Sequence, residues 1–180
     1  MKGNEGFLAL GTLVVALMVL AARGWDGDGR WNPTREAAPA RFERGLSGER
    51  SITLSAGPGG HFFFEAEAFG PGAGRGEGAP VRFMVDSGAS VVTLTESDAR
   101  RAGITLEDRD YNRAFDTANG TIRAASAKLD RLVIGDAVLD DLFVSVVRDE
   151  QLSGSLFGVN GLNRFDRRET TADRLVLTMD

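Results

Sequence analysis

Val81-Arg82-Phe83-Met84-Val85-Asp86-Ser87-Gly88-Ala89-Ser90 is the stretch on which the fold turns. An apolar run of strand-forming residues leads straight into a carboxylate, a hydroxyl residue and a glycine. Aspartate is disfavoured inside strands, and a strand this apolar belongs in a core. Asp86 at its end, beside residues able to turn sharply, is therefore placed for chemistry or for a hydrogen-bond network. The plainer account is a turn aspartate that caps its own backbone. Outward from this point, Val91-Val92-Thr93-Leu94 is a second β-branched run. Thr95-Glu96-Ser97-Asp98 then reads as a capping-box helix start, with Thr95 as N-cap and Asp98 at the third helical position. The helix should end near Ala102, with Gly103 as its left-handed cap. Asp86 thus falls on a tight loop between two strands, with a short helix following.

This order resembles the retropepsin-like aspartic protease family, particularly its bacterial membrane-anchored single-lobe members. Asp86-Ser87-Gly88-Ala89 is similar to the Asp-Ser/Thr-Gly-Ala/Ser pattern of aspartic proteases. Ala99-Arg100-Arg101-Ala102-Gly103-Ile104 stands where the family has an Ala-rich helix followed by Gly-Ile. Gly60-His61-Phe62 is similar to the Gly-His-aromatic opening of the first hairpin, and Thr117-Ala118-Asn119-Gly120 to the flap hairpin. Leu156-Phe157-Gly158-Val159-Asn160-Gly161-Leu162 resembles the apolar-apolar-Gly segment packed behind the catalytic loop. The likeness runs from about Ser51 to the C-terminus. It implies an all-β fold: a small closed barrel of the retropepsin-like acid protease type with one or two short helices, preceded by an N-terminal apolar helix.

The resemblance also implies roles. Asp86 would be the catalytic carboxylate. Ser87 and Gly88 would support the catalytic loop, the hydroxyl bracing one loop against its mate; the family more often has Thr there. Thr117, Ala118, Asn119, Gly120 and Thr121 would close over substrate as the flap. Asp116-Thr117 is a rival catalytic pair, but Ala118 follows where glycine is required, so a flap arm is the better account. Water activation needs two carboxylates sharing a proton, because like charges about 3 Å apart cannot both ionise. Residues 49–180 are too few for two lobes, so an enzyme of this kind must pair two Asp86 residues in a homodimer. Family dimers interleave terminal strands, which makes Leu175-Val176-Leu177 the expected interface. The implied activity is an aspartic-type endopeptidase acting on protein or peptide substrates. The alternative is an inactive dimer of the same fold that binds peptides or proteins.

Composition narrows other options. The net charge of -5 argues against a nucleic-acid partner, since phosphate binding needs clustered Lys and Arg. There is no cysteine, which excludes disulfides, thiolate zinc sites and cysteine nucleophiles. With one histidine, no metal site and no cofactor are expected. A serine hydrolase using Ser87 or Ser90 with His61 lacks the Gly-x-Ser-x-Gly elbow, and His61 reads better as a strand-end residue beside phenylalanines. Gly74-Arg75-Gly76-Glu77-Gly78-Ala79 formally fits a dinucleotide fingerprint, but Pro80 and a strand follow where a helix should open. Gly70 to Gly78 is instead a long hairpin loop.

Residues 1–24 read as an N-terminal membrane anchor or signal peptide. Phe7 to Ala22 is apolar apart from Thr12, short against the about 20 residues of a comfortable span. Ala21 and Ala22 would suit signal cleavage, whereas the n-region has only Lys2, offset by Glu5. An uncleaved single-pass anchor is favoured, with the domain on the exported, extracytoplasmic side. Counting Arg23, Arg30 and Arg35 alone would keep it cytoplasmic. Residues 25–48, rich in Gly, Pro, Ala and charge without periodicity, read as a flexible linker. Residues 49–180 form the protease-like domain. Within it, Ser51-Ile52-Thr53-Leu54, His61 to Phe69, Ala127 to Ile134, Leu142 to Val147 and Arg174 to Thr178 read as strands. Turns are expected at Asn119-Gly120, Gly135-Asp136 and Asp140-Asp141, and a short helix from Asn160 to Phe165. Leu142-Phe143-Val144 and Val146-Val147 read as core.

Overall fold

The computed structural model describes residues 39–45, 48–74, 76, 78–117 and 120–180. The expected membrane segment, residues 1–24, and most of the expected linker lie outside them. Among the described residues no helix is long and apolar enough to cross a membrane.

The described chain is mostly β, with few short helices. In chain order it runs through β1 (Arg41–Arg44), β2 (Arg50–Ser55), β3 (Phe63–Phe69), β4 (Ala79–Val85) and β5 (Val92–Thr95). After α1 (Glu96–Arg101) come β6 (Arg113–Thr117), β7 (Gly120–Ile134), β8 (Ala137–Val147) and β9 (Ser155–Phe157). The last elements are α2 (Val159–Leu162), β10 (Arg167–Thr170) and β11 (Arg174–Met179).

Seven strands form one sheet in the order β3-β4-β9-β5-β8-β7-β6, and β7 also pairs with β3. The pairings from β3 to β7 therefore return to their start. Their inward residues follow the period of two: Phe64, Ala66 and Ala68 of β3 are buried while Glu65 and Glu67 face out. Phe157 sits at the hub of the core, edge-on to Phe64 at 5.0 Å, to Phe83 at 6.0 Å and to Phe165 at 6.4 Å between ring centroids. Edge-to-face packing of this kind uses the ring quadrupoles as well as the buried area.

The other sheet has the order β1-β2-β11-β10. Two corrections follow. Arg41–Arg44, inside the stretch expected as linker, is a strand paired with β2. The C-terminal strand, expected to offer itself to a second chain, is flanked by β2 and β10 of its own chain, and Leu175 and Leu177 are buried. Among the described residues, the strands of this sheet with a neighbour on one side only are β1 and β10.

Asp140-Asp141 is no turn. Both residues lie inside β8, which runs antiparallel to β7 from Ala137 opposite Ile134 to Val147 opposite Ala124. The expected turn at Gly135-Asp136 is present, with Gly135 at φ +57°. Gly120 pairs with Thr117 and so opens β7 rather than forming the turn. Phe143, read as core, is 47% exposed, because the strand period turns it away from buried Leu142 and Val144. The second helix spans Val159–Leu162, not Asn160 to Phe165.

Around α1 the expected N-cap and left-handed glycine are present, while the reciprocal half of the expected capping box is not, the Thr95 amide donating to Ser155 Oγ. The Thr95 hydroxyl accepts the Asp98 amide at 3.2 Å, and Gly103 has φ +86°. The glycine-rich loop after β3 docks on this helix end: the Gly70 and Gly72 amides donate to the Ala102 and Gly103 carbonyls at 2.6 and 2.9 Å.

Candidate active site

Asp86 follows the last residue of β4, the strand flanked by β3 and β9. Its backbone amide donates to the Phe157 carbonyl at 3.1 Å, extending the parallel β4–β9 ladder by one bond. The chain then turns, with the Ala89 amide donating to the Asp86 carbonyl at 3.2 Å. Inside that turn the Gly88 amide donates to Asp86 Oδ1 at 2.8 Å. One carboxylate oxygen is thus held by the backbone while Asp86 stays partly exposed. Ser87 is exposed at the tip, and Ala89 is fully buried behind it. Asp86, Ser87 and Gly88 therefore lie together on one turn, the carboxylate backbone-held but reachable from solvent.

The loop is supported from behind by the start of α2. Val159 and Asn160 amides donate to the Ala89 and Ser90 carbonyls at 2.8 and 3.1 Å. The Asn160 side chain accepts the Val92 amide at 2.7 Å and donates to the Phe143 carbonyl at 2.8 Å. Such an approach needs a residue without a side chain at 158. A Cβ there would lie 2.6 Å from the Ala89 carbonyl oxygen and against that of Val91.

Against the loop packs the hairpin of β6 and β7, where Asp116 pairs with Thr121 and Thr117 with Gly120. Of the expected flap residues, Thr117, Gly120 and Thr121 fall on this hairpin, and Ala118 and Asn119 lie outside the described residues. Phe115 and Ile122 of the hairpin pack with Met84, Ala89, Leu152 and Leu156, an apolar cluster separate from the main core. The β6–β7 hairpin and the Asp86 turn therefore meet through Met84 and Ala89, which bracket Asp86 in sequence.

At the root of the hairpin Arg148 lies over the Tyr111 ring, 4.2 Å from its centroid, and pairs with Asp108 at 2.6 Å and Glu96 at 3.3 Å. Burial, and secondly the adjacent Glu96 carboxylate, push the Tyr111 phenol up to about 12. His61 stands edge-on to Phe63, 6.5 Å between centroids, as a residue near the strand start should.

Several contributors escaped sequence reasoning. Asn160 lies in the apolar-apolar-Gly segment, yet nothing local marks its amide as the clip between β5 and β8. Asp98 reads as a cap residue, but its carboxylate does not return to the Thr95 amide. That amide donates to Ser155 Oγ at 3.1 Å, and Ser155 in turn donates to Asp98 Oδ2 at 2.5 Å.

A mostly β domain with a backbone-held Asp-Ser-Gly turn, a support helix behind it and a hairpin packed against it defines the class of retropepsin-like aspartic proteases. A crystal structure of a retropepsin-like aspartic protease from Rickettsia conorii is similar to this chain, with TM-score 0.59 and 26% identity over 80% of this chain and 97% of that one. The family described as gag-polyprotein putative aspartyl protease matches residues 73–164, about half of the chain, and the chain belongs to it. Among curated relatives, an uncharacterized protein of Rickettsia prowazekii is 37% identical over 97 residues, covering 54% of this chain and 41% of that protein. Another, from Sinorhizobium, is 27% identical over 130 residues, covering 72% of this chain and 52% of its own length. The chain spans about half the length of these relatives.

Proposed function

We propose that this protein is a membrane-anchored aspartic endopeptidase, active as a homodimer in which two Asp86 carboxylates share a proton and activate water. The observation that carries this reading is the Asp86 turn itself: a partly exposed carboxylate with one oxygen held by the Gly88 amide, in a member of an aspartyl protease family. One such turn per chain supplies half of the chemistry. In the pair, the ionised Asp86 would take the proton of the attacking water while its protonated mate donates to the scissile carbonyl. Exposed Ser87 is free to brace the opposite loop. The fold in this reading is a small closed barrel, consistent with the return of β7 to β3.

Substrate would lie extended beneath Thr117–Thr121, held by main-chain hydrogen bonds. Met84, Phe115 and Ile122 are only partly buried beside the loop, which favours peptides with apolar side chains around the cleaved bond. Among the described residues β1 and β10 each have one unpaired edge, which supports pairing through the four-stranded sheet. The apolar run Phe7–Ala22 supports a single-pass anchor with the domain exported.

The deciding experiment is cleavage of a mixed peptide library across pH by wild type and Asp86→Asn. The shared proton requires one carboxyl ionised and one protonated, so activity should fall on both sides of an optimum below neutrality, and the variant should be inactive but folded. Undiminished cleavage by Asp86→Asn would sink the assignment. A folded wild-type dimer that cleaves nothing at any pH would favour a peptide-binding module instead.

A further inference from the structure

We infer that Asp98 and Ser155 are positioning residues for Asp86, acting from the far ends of the two parallel strands that carry it. The inference rests on Asp86 being the reactive carboxylate. β4 and β9 run side by side in the same direction, with Phe83 opposite Ser155 and Val85 opposite Phe157. Both finish at the catalytic turn, β4 by running into Asp86 and β9 by accepting the Asp86 amide at the Phe157 carbonyl. Both also begin at one carboxylate. Ser155 Oγ donates to Asp98 Oδ2 at 2.5 Å, and Arg101, paired with Asp98 Oδ1, donates to the Pro80 carbonyl at 3.3 Å. Asp98 is nine-tenths buried and Ser155 almost wholly so.

A three-residue strand has few ladder bonds of its own to set its register. A slip of one residue would exchange its two faces and carry the Phe157 carbonyl away from Asp86. The Ser155 hydroxyl prevents this by a two-way bond, accepting the Thr95 amide of β5 and donating to Asp98 of α1. β9 is therefore pinned at its start to the helix that follows the catalytic loop, and its other end fixes where the Asp86 backbone sits. The side chain at 98 acts on catalysis without touching substrate.

The test compares Ser155→Ala with Ser155→Thr in the full-length protein. The alanine removes the hydroxyl; the threonine keeps it and adds a methyl to a full site. Ser155→Ala should lower kcat about ten- to a hundred-fold, the scale of a small misplacement, with KM little changed. Ser155→Thr should retain most of kcat although it is the less stable of the two. If Ser155 only fills space, the order reverses, because the overpacked threonine would suffer more. An unchanged kcat in Ser155→Ala, or equal loss in both variants, overturns the inference. The Gly88 amide resonance gives a readout independent of turnover, since that proton lies on Asp86 Oδ1. It should move in Ser155→Ala and Asp98→Ala and stay near its wild-type position in Ser155→Thr. An unmoved resonance in folded Ser155→Ala and Asp98→Ala would also refute positioning. A wild type with no cleavage, together with a resonance that moves as stated, would mean that the protease assignment has failed while the positioning stands.

Discussion

Asp86 is held by backbone on three counts: its amide on Phe157, its carbonyl on Ala89 and its Oδ1 on Gly88. The approach of α2 that supports this loop from behind requires the absence of a side chain at 158. Gly158→Ala should destabilise the fold by about 1–3 kcal/mol, the usual cost of overpacking, because the new methyl meets two carbonyl oxygens that cannot swing aside. A urea midpoint equal to wild type would show that the loop can retreat. Tyr111 makes a different prediction. Its phenol is raised from an ordinary 10.0 to about 12 in the folded chain, so the folded state holds that proton more tightly than the unfolded one. The resulting stability is complete below pH 10 and is lost as pH rises toward 12. It is the chain's one tyrosine, so tyrosinate absorbance reads it directly. A midpoint near the ordinary value in the native protein would contradict this account of its surroundings. At this level the turn formed by Asp86, Ser87 and Gly88 was plain in the sequence, because turn chemistry is local. It hid Ser155 and Asn160, whose partners are brought near only by the folded sheet.

Strands announced themselves where one face is buried and failed to where neither is. β1 reads Arg-Phe-Glu-Arg and β10 Arg-Arg-Glu-Thr, all four residues exposed in each, and pairing with β2 and β11 alone makes them strands. Asp140 and Asp141 suggested a turn because lone aspartates break strands. Here Asp140 stands opposite Arg131, 2.9 Å away, and such cross-strand pairs of opposite charge favour the sheet, while Asp141, at φ +54°, reaches Lys128 at 2.5 Å. β1 is more than decoration, since the Phe42 ring lies over Gly135 at the β7–β8 turn. A fragment beginning at residue 48 should therefore be less stable than one beginning at 39, by on the order of 1 kcal/mol for one half-covered aromatic ring. Matching thermal midpoints for the two fragments would assign β1 no part in stability. Thr95→Ala should cost about 1 kcal/mol through loss of the N-cap. The Ser155 contact, made to the Thr95 backbone amide, should survive it.

A homodimeric enzyme has a rate that depends on finding its mate. Cleavage by a fragment of residues 39–180 should rise more than linearly with its concentration, and the full chain in vesicles should reach the same specific activity at a lower bulk concentration. Sedimentation that finds only monomer at full specific activity would contradict the paired site. The proposed pairing rests on a feature legible in the sequence, a single catalytic-type aspartate in the Asp-Ser-Gly pattern. Where the copies of the proposed pair would touch was not legible. Terminal position suggested β11, but strand order is a property of the folded sheet, and there β11 is an inner strand.

That inner place has a consequence for how the protein is made. Ile52 and Leu54 of β2 find their covering strand only in β11, well over a hundred residues later. At about 5–20 residues per second of synthesis, β2 waits on the order of ten seconds with its apolar side chains and one edge uncovered. The four-stranded sheet cannot close until the ribosome has extended the chain through β11. Nascent chains stalled before Arg174 should accordingly be bound by holding chaperones, and release should coincide with emergence of the last strand.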